Sequence, residues 1–163
     1  MALRPDFFYE SVFDIPYDKL YKNGKKCLIY DIDNTLAGYK DAAAPERIVE
    51  LVAKLQDMGF SVGLLSNNKF KRLEAFNKTM RLSGKSMAGK PFTRGLKKLM
   101  RDMDATCANT VMIGDQLFAD IWCGKNAGVA TIMVKPVTDH EILFVRFKRF
   151  FEKIWLKKYL LEK

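Results

Sequence analysis

Hydrophobic positions along the chain fall into two alternating rhythms. Short, nearly unbroken apolar runs occur at 25–33 (KKCLIYDID), 60–68 (FSVGLLSNN), 109–115 (NTVMIGD) and 130–136 (ATIMVKP). Such runs mark strands buried on both faces. Between the first two, PERIVELVAKLQDMG places Ile48, Leu51, Val52 and Leu55 on one helical face, with Pro45 where a helix starts and Gly59 where one stops. Further helices are expected over 69–82, from Pro91 onward, and over 117–128. Strand and helix thus alternate from Lys25 to Pro136, the order of a three-layer αβα, Rossmann-like domain around a mostly parallel sheet. No internal repeat, low-complexity tract or interior linker interrupts it. The chain reads as one domain over 1–163: a core over 25–136, an aromatic amino-terminal segment over 1–24 and a basic amphipathic helix over 141–163.

The polar residues at the strand ends form a second pattern. Asp31 and Asp33 close the first strand, Ser66 the second and Asp115 the third, and ligands of open α/β sheets sit at the carboxyl ends of the strands. Carboxylates are costly to bury without a reason. In an Asp-x-Asp string at a strand end the two side chains share one side, so one carboxylate can attack phosphorus while the other moves a proton. Asp115 with Asp31 and the Asp33 carbonyl offers the hard oxygen ligands that suit Mg²⁺. Ser66 can hydrogen-bond a phosphoryl oxygen, and Lys90 can neutralise charge on the transferring group. The bland alternatives are a polar turn for the Asp pair, a helix cap for Ser66 and a solvated side chain for Lys90. Four such positions in register argue against them.

These residues resemble the four motifs of the haloacid dehalogenase superfamily of phosphatases: DIDNT at 31–35, Ser66 in LLSNN, Lys90 in AGKP, and GDQLFAD at 114–120. The resemblance implies an aspartyl-phosphate intermediate, with Asp31 as nucleophile, Asp33 as general acid and base, and Mg²⁺ held by Asp31, Asp33 and Asp115. It also implies phosphate binding by Thr35, Ser66, Asn67 and Lys90. Asp120 enters as a residue that orients Lys90 or a metal-bound water, although an aspartate in a first helical turn is also favoured by the helix dipole. Across nearly the whole chain the sequence is similar to the YqeG group of capless phosphatases, in subclass IIIA, which is related to phosphatidylglycerophosphate phosphatases. That likeness implies phosphatidylglycerophosphate as substrate.

Only residues 36–65 separate Thr35 from Ser66, and only 67–89 separate Ser66 from Lys90. Neither gap holds a cap domain, so the site is expected to be open and suited to a large or surface-bound substrate, unless a second subunit supplies a lid. The net charge of +9 favours an acidic partner. In the last stretch Leu143, Phe147, Phe150, Phe151, Ile154 and Trp155 share one helical face, and Arg146, Arg149, Lys153 and Lys157 the other. Such a helix can lie in an anionic membrane interface or dock on the domain. Its basic residues are interleaved with bulky apolar ones, unlike a groove-tracking patch, and no nucleic acid is expected. The other readings are a capless phosphatase for nucleic-acid ends, phosphoproteins or soluble sugar phosphates, and a non-catalytic scaffold. Three cysteines without metal-type spacing and a single histidine exclude a disulfide framework, a paired-histidine metal site and a Ser-His-Asp triad. No apolar run approaches the ~18 residues of a membrane span. A cytoplasmic protein is expected, peripheral at the inner face of the membrane if the tail binds lipid.

Overall fold

The computed structural model describes residues 3–138; the expected helix over 141–163, with Arg146, Arg149, Lys153 and Lys157, lies outside them. Six strands form one parallel sheet: β1 (Phe7–Tyr9), β2 (Cys27–Tyr30), β3 (Ser61–Leu65), β4 (Ser83–Lys85), β5 (Thr110–Gly114) and β6 (Ala130–Val134). Their spatial order is β1-β6-β5-β2-β3-β4. From β2 the chain steps outward to β3 and β4, then returns to lay β5 on the other side of β2. The direction of winding reverses between β2 and β5, which opens a crevice beyond their carboxyl ends. Tyr30 is in register with Ile113 on one side and Leu64 on the other, so the chain leaves the sheet at one level in all three strands.

Side chains alternate across the sheet and pack two cores. Leu28, Tyr30, Val62, Leu64, Val111, Ile113 and Ile132 pack with Ile48, Val52 and Leu55 of α2 (Glu46–Asp57) and with Leu73 and Phe76 of α3 (Phe70–Asn77). Cys27, Ile29, Leu65 and Met112 pack on the other face with Leu96, Leu99 and Met100 of α4 (Arg94–Asp102) and with Cys123 and Ala127 of α5 (Trp122–Ala127). Each such aliphatic side chain stabilises the fold by about 1.5–3 kcal/mol through burial. Burial also pushes the Cys27 and Cys123 thiols up to about 11, so both act as packing groups.

Several boundaries differ from the expected ones. The helix expected over 69–82 ends at Asn77, where the Asn77 side chain accepts the Leu82 N–H at 2.8 Å and donates to the Leu82 carbonyl at 2.7 Å. That closed turn releases Ser83–Lys85 to form β4, an edge strand too short and polar to show as an apolar run. The helix expected from Pro91 begins at Arg94, after a turn in which the Phe92 N–H donates to the Gly89 carbonyl at 2.8 Å; the Lys90–Pro91 peptide bond is cis. Phe7–Tyr9, for which no element was expected, adds β1 beside β6, pinned by Asp6, whose carboxylate accepts the Thr131 N–H at 2.8 Å and hydroxyl at 2.9 Å.

The amino-terminal segment is held further in by a buried relay. The Tyr30 hydroxyl donates to that of Tyr17 at 2.8 Å, and Tyr17, on α1 (Tyr17–Lys22), donates to the Val12 carbonyl at 2.7 Å. Tyr17→Phe strands both neighbours and is expected to cost about 1–3 kcal/mol, whereas Tyr30→Phe removes one bond and costs about 0.5–1.5 kcal/mol. Denaturant unfolding of the two variants checks the order, and equal losses would show that the relay does not act as described.

Candidate active site

The strand ends bring a dense polar cluster together beneath an open cleft of about 250 Å³ lined by Asp31, Asp33, Tyr39, Ser66, Asn67, Asn68, Lys90, Gln116 and Ala119. Asp31 directly follows β2, and its N–H donates to the Ile113 carbonyl at 2.9 Å, so its backbone is still fixed by the neighbouring strand. Asp115 directly follows β5 and is fully buried. Ser66 directly follows β3; its N–H donates to Lys85 at 2.9 Å and its hydroxyl oxygen accepts the Asn68 N–H at 3.0 Å. That turn leaves the hydroxyl proton to donate elsewhere.

Lys90 organises the floor. Its ammonium is buried and donates to Asp31 Oδ1 at 2.5 Å, Asp120 Oδ1 at 2.7 Å and the Leu65 carbonyl at 2.8 Å. All three ammonium protons therefore have acceptors. Burial opposes the charge, but Asp120 and Asp31 outweigh it and raise Lys90 above its ordinary value, so the ammonium stays ionised. The loop that carries it is held from both sides. Asn67 accepts the Lys90 N–H at 2.8 Å and donates to the Lys90 carbonyl at 3.0 Å. Behind the loop, α4 approaches so closely at Gly95 that an added Cβ would lie 2.4 Å from the Ala88 carbonyl oxygen.

Asp120 reaches Lys90 because the chain after β5 is not a plain α-helix. Leu117–Ile121 forms a π-helical turn, with the Ile121 N–H donating to Gln116 O at 3.2 Å and Asp120 Oδ2 accepting the Gln116 N–H at 3.0 Å. Such turns recur at functional sites because they redirect a side chain without ending the helix. Gly114 makes the room: a Cβ there would lie 2.3 Å from Asp120 Cγ.

Asp31, Asp115 and Asp120 each present a carboxylate oxygen, and these atoms all lie within 4.8 Å of one another. Three buried carboxylates against one ammonium leave an excess of negative charge, and an all-oxygen donor set suits a hard divalent cation. The residues present therefore fit the divalent metal that the sequence motifs imply. The Asp33 carboxylate stands apart. Its Oδ1 takes Arg72 Nε at 3.1 Å and Nη2 at 3.0 Å, and Asn68 Nδ2 reaches its Oδ2 at 3.3 Å. Thr35, expected among the phosphate-binding residues, donates to Asp115 Oδ1 at 3.1 Å. Arg72 also donates to the Ala42 carbonyl at 3.1 Å, tying the Asp33 loop to α3. Neither Arg72 nor Asn68 was singled out from the sequence. Their only trace there is their place just after the strand-ending serine.

Residues 87–140 match the HAD-hydrolase-like family. Over 149 residues the chain is 32% identical to the probable phosphatase YqeG of Bacillus subtilis, spanning 91% of this chain and 87% of that protein. A glyceraldehyde 3-phosphate phosphatase of Pyrococcus abyssi is 25% identical over 95 residues, 53% of this chain and 40% of that protein. Among solved structures, the cobalt-bound deoxy-D-mannose-octulosonate 8-phosphate phosphatase (YrbI) of Haemophilus influenzae is similar with a TM-score of 0.54 at 20% identity, over 72% of this chain and 81% of that one. This last likeness is one of fold.

The electrostatics predict a linked metal and proton equilibrium. Burial raises Asp31 to about 7 in the metal-free protein, against the pull of Lys90 and with the charges of Asp120 and Asp33 adding to it. The folded value lies above the ordinary 3.8, so the stability that the neutral carboxyl contributes is present at low pH and is lost as pH rises through about 7. A divalent cation needs the ionised form and must displace the proton below that pH. Stabilisation by Mg²⁺ is expected to grow from about pH 5 to 7 and then level off, with proton release seen calorimetrically in two buffers. Metal affinity flat across that range would contradict the assignment of Asp31 to the metal cluster.

Proposed function

The chain belongs to the haloacid dehalogenase (HAD) superfamily, in its YqeG-like group, and is a phosphoric monoester hydrolase; on that premise we propose that it removes the terminal phosphate of phosphatidylglycerophosphate through an aspartyl-phosphate on Asp31. The observation that carries the reaction is the Asp31 carboxylate held 2.5 Å from the buried Lys90 ammonium on the floor of an open cleft. An Asp31 oxygen attacks phosphorus, the bond to the leaving oxygen breaks, and Asp33 gives that oxygen a proton. Oδ1 of Asp33 takes two contacts from Arg72, at 3.1 and 3.0 Å, and Oδ2 one longer contact from Asn68 at 3.3 Å, so Oδ2 is the oxygen left to exchange the proton. In the second half-reaction Asp33 takes a proton from water, the resulting hydroxide oxygen attacks phosphorus, and Asp31 leaves as the carboxylate. Lys90 and the Ser66 hydroxyl offset charge on the phosphoryl oxygens. Asp31 and Asp115 would hold Mg²⁺, which would supply Lewis-acid neutralisation of the phosphate dianion.

The lipid substrate has three supports. Among the described residues no cap domain covers the cleft, so a head group still anchored in a bilayer can enter. The sequence resembles phosphatidylglycerophosphate phosphatases at its motifs and at its ends. The +9 charge and the amphipathic basic pattern of the tail suit an anionic surface. No helix among the described residues is long and apolar enough to cross a membrane, so contact would be peripheral. A small soluble phosphate ester is the second reading, favoured by what the Pyrococcus protein is named for.

Phosphate release from phosphatidylglycerophosphate in mixed micelles with Mg²⁺ is expected to exceed release from soluble sugar phosphates, and to fall to background in Asp31→Asn. Turnover of the soluble compounds alone would keep the reaction and discard the lipid.

A further inference from the structure

Three large apolar side chains at the mouth of the cleft point into solvent. Phe70 is 61% exposed, Met87 72% and Phe92 76%, and none of them lines the cleft itself. They lie on the loops that carry the site: Phe70 opens α3 just beyond Ser66, and Met87 and Phe92 flank Lys90. The loops are tied to one another. The Met87 N–H donates to the Asn68 carbonyl at 2.9 Å, Asn67 grips the Lys90 backbone, and Cys123 Sγ donates to the Phe92 carbonyl at 3.4 Å, beside the half-exposed Trp122. The loops that carry the three side chains are therefore tied into one rim beside the cleft. Met87 holds its place at a φ of +46°, a region that a side chain without a local hydrogen-bonding group avoids.

The charge on this rim is also unusual. Lys69 and Lys71 flank Phe70, Arg94 follows Phe92, and all three are exposed. The first turns of α3 and α4 contain no acidic residue, although helix amino termini ordinarily gather Asp and Glu. Glu74, one turn further along α3, is the acidic group that follows Phe70. Thr138 donates to Asn34 Oδ1 at 2.7 Å, so the chain leaves the described region at this same edge, ahead of the basic and aromatic sequence 139–163. Aromatic and cationic side chains interleaved around an open phosphate site match the chemistry of an anionic lipid interface.

We propose that Phe70, Met87 and Phe92, with Lys69, Lys71 and Arg94, form a membrane-docking surface that seats the open cleft on an anionic bilayer. The proposal rests on the lipid reading above for its substrate, but its binding step is separable from it. Docked in this way, the bilayer itself covers the cleft, and a phosphorylated head group reaches Asp31 without leaving the membrane.

The test is co-sedimentation of the full chain with vesicles of phosphatidylcholine alone or mixed with phosphatidylglycerol, neither of which is the substrate. The combined variant Phe70→Ser, Met87→Asn, Phe92→Ser is expected to bind anionic vesicles at least about tenfold more weakly. The combined variant Lys69→Glu, Lys71→Glu, Arg94→Glu is expected to lose the preference for anionic over neutral vesicles. Both should hydrolyse soluble p-nitrophenyl phosphate at the rate of the unmodified protein. Undiminished vesicle binding by the apolar variant would overturn the proposal, as would failure of the unmodified protein to bind. So would a dimer that this variant converts to monomer, since a second copy would then occupy the rim. Loss of soluble hydrolysis in both variants would place these side chains in the catalytic machinery and overturn it too. Rim-dependent vesicle binding without phosphate release from phosphatidylglycerophosphate supports the docking surface and discards the lipid substrate.

Discussion

A buried ammonium holds this structure's chemistry together. Lys90 brings a full positive charge into the protein interior and keeps it there because Asp31, Asp120 and the Leu65 carbonyl accept its three hydrogen bonds. Removing one partner of such a buried pair costs about 3–5 kcal/mol, because the other charge is then left uncompensated. The surrounding elements serve this geometry. Asn67 clamps the Lys90 backbone, Gly95 admits its loop against α4, Gly114 clears space for Asp120, and the π-helical turn swings Asp120 inward. A network of this kind sets where the proposed nucleophile stands relative to the cation cluster, and does so before any substrate arrives.

Topology supplies the second constraint. In a fully parallel sheet every strand points its carboxyl end to the same edge, and the reversal between β2 and β5 leaves a crevice where Asp31 and Asp115 emerge side by side. The open cleft follows from what is not inserted there: among the described residues the segments after β2 and β3 hold α2 and α3 and no further domain. Openness has a chemical cost, since a wet site weakens charge stabilisation. Among the described residues no lid domain covers the cleft, and in the proposed docking a bilayer seated on Phe70, Met87 and Phe92 would exclude water in its place.

Most of the architecture was legible in the sequence, because β2, β3, β5 and β6 are apolar runs and α2 has a clean helical period. The elements that escaped notice are too short or too polar to show as apolar runs. β4 is Ser-Gly-Lys at a sheet edge, and β1 is three aromatic residues, Phe7 and Phe8 exposed, held beside β6 with help from Asp6 through its bonds to Thr131. In the site, the strand-ending residues Asp31, Ser66 and Asp115 could be read because their positions follow from strand periodicity. Arg72 could not, since its contact with Asp33 depends on the turn that starts α3 and on a loop fold around Ala42. Asp120 was legible as a partner of Lys90 through its place in the GDQLFAD motif, and the two do meet; the π-helical turn that aims it there has no pattern in apolar spacing. Asn67, expected at the phosphate, lines the cleft, and its side chain holds the Lys90 backbone.

Asp31, poised by Lys90, is the proposed nucleophile that accepts the phosphoryl group. Acid-quenching the enzyme during turnover and locating the phosphoryl group by peptide mass spectrometry tests this role. A hydroxylamine-sensitive acyl phosphate is expected on the peptide carrying Asp31 and absent in Asp31→Asn. Phosphate on another residue, or its release under single-turnover conditions with no phosphorylated peptide, would rule that role out.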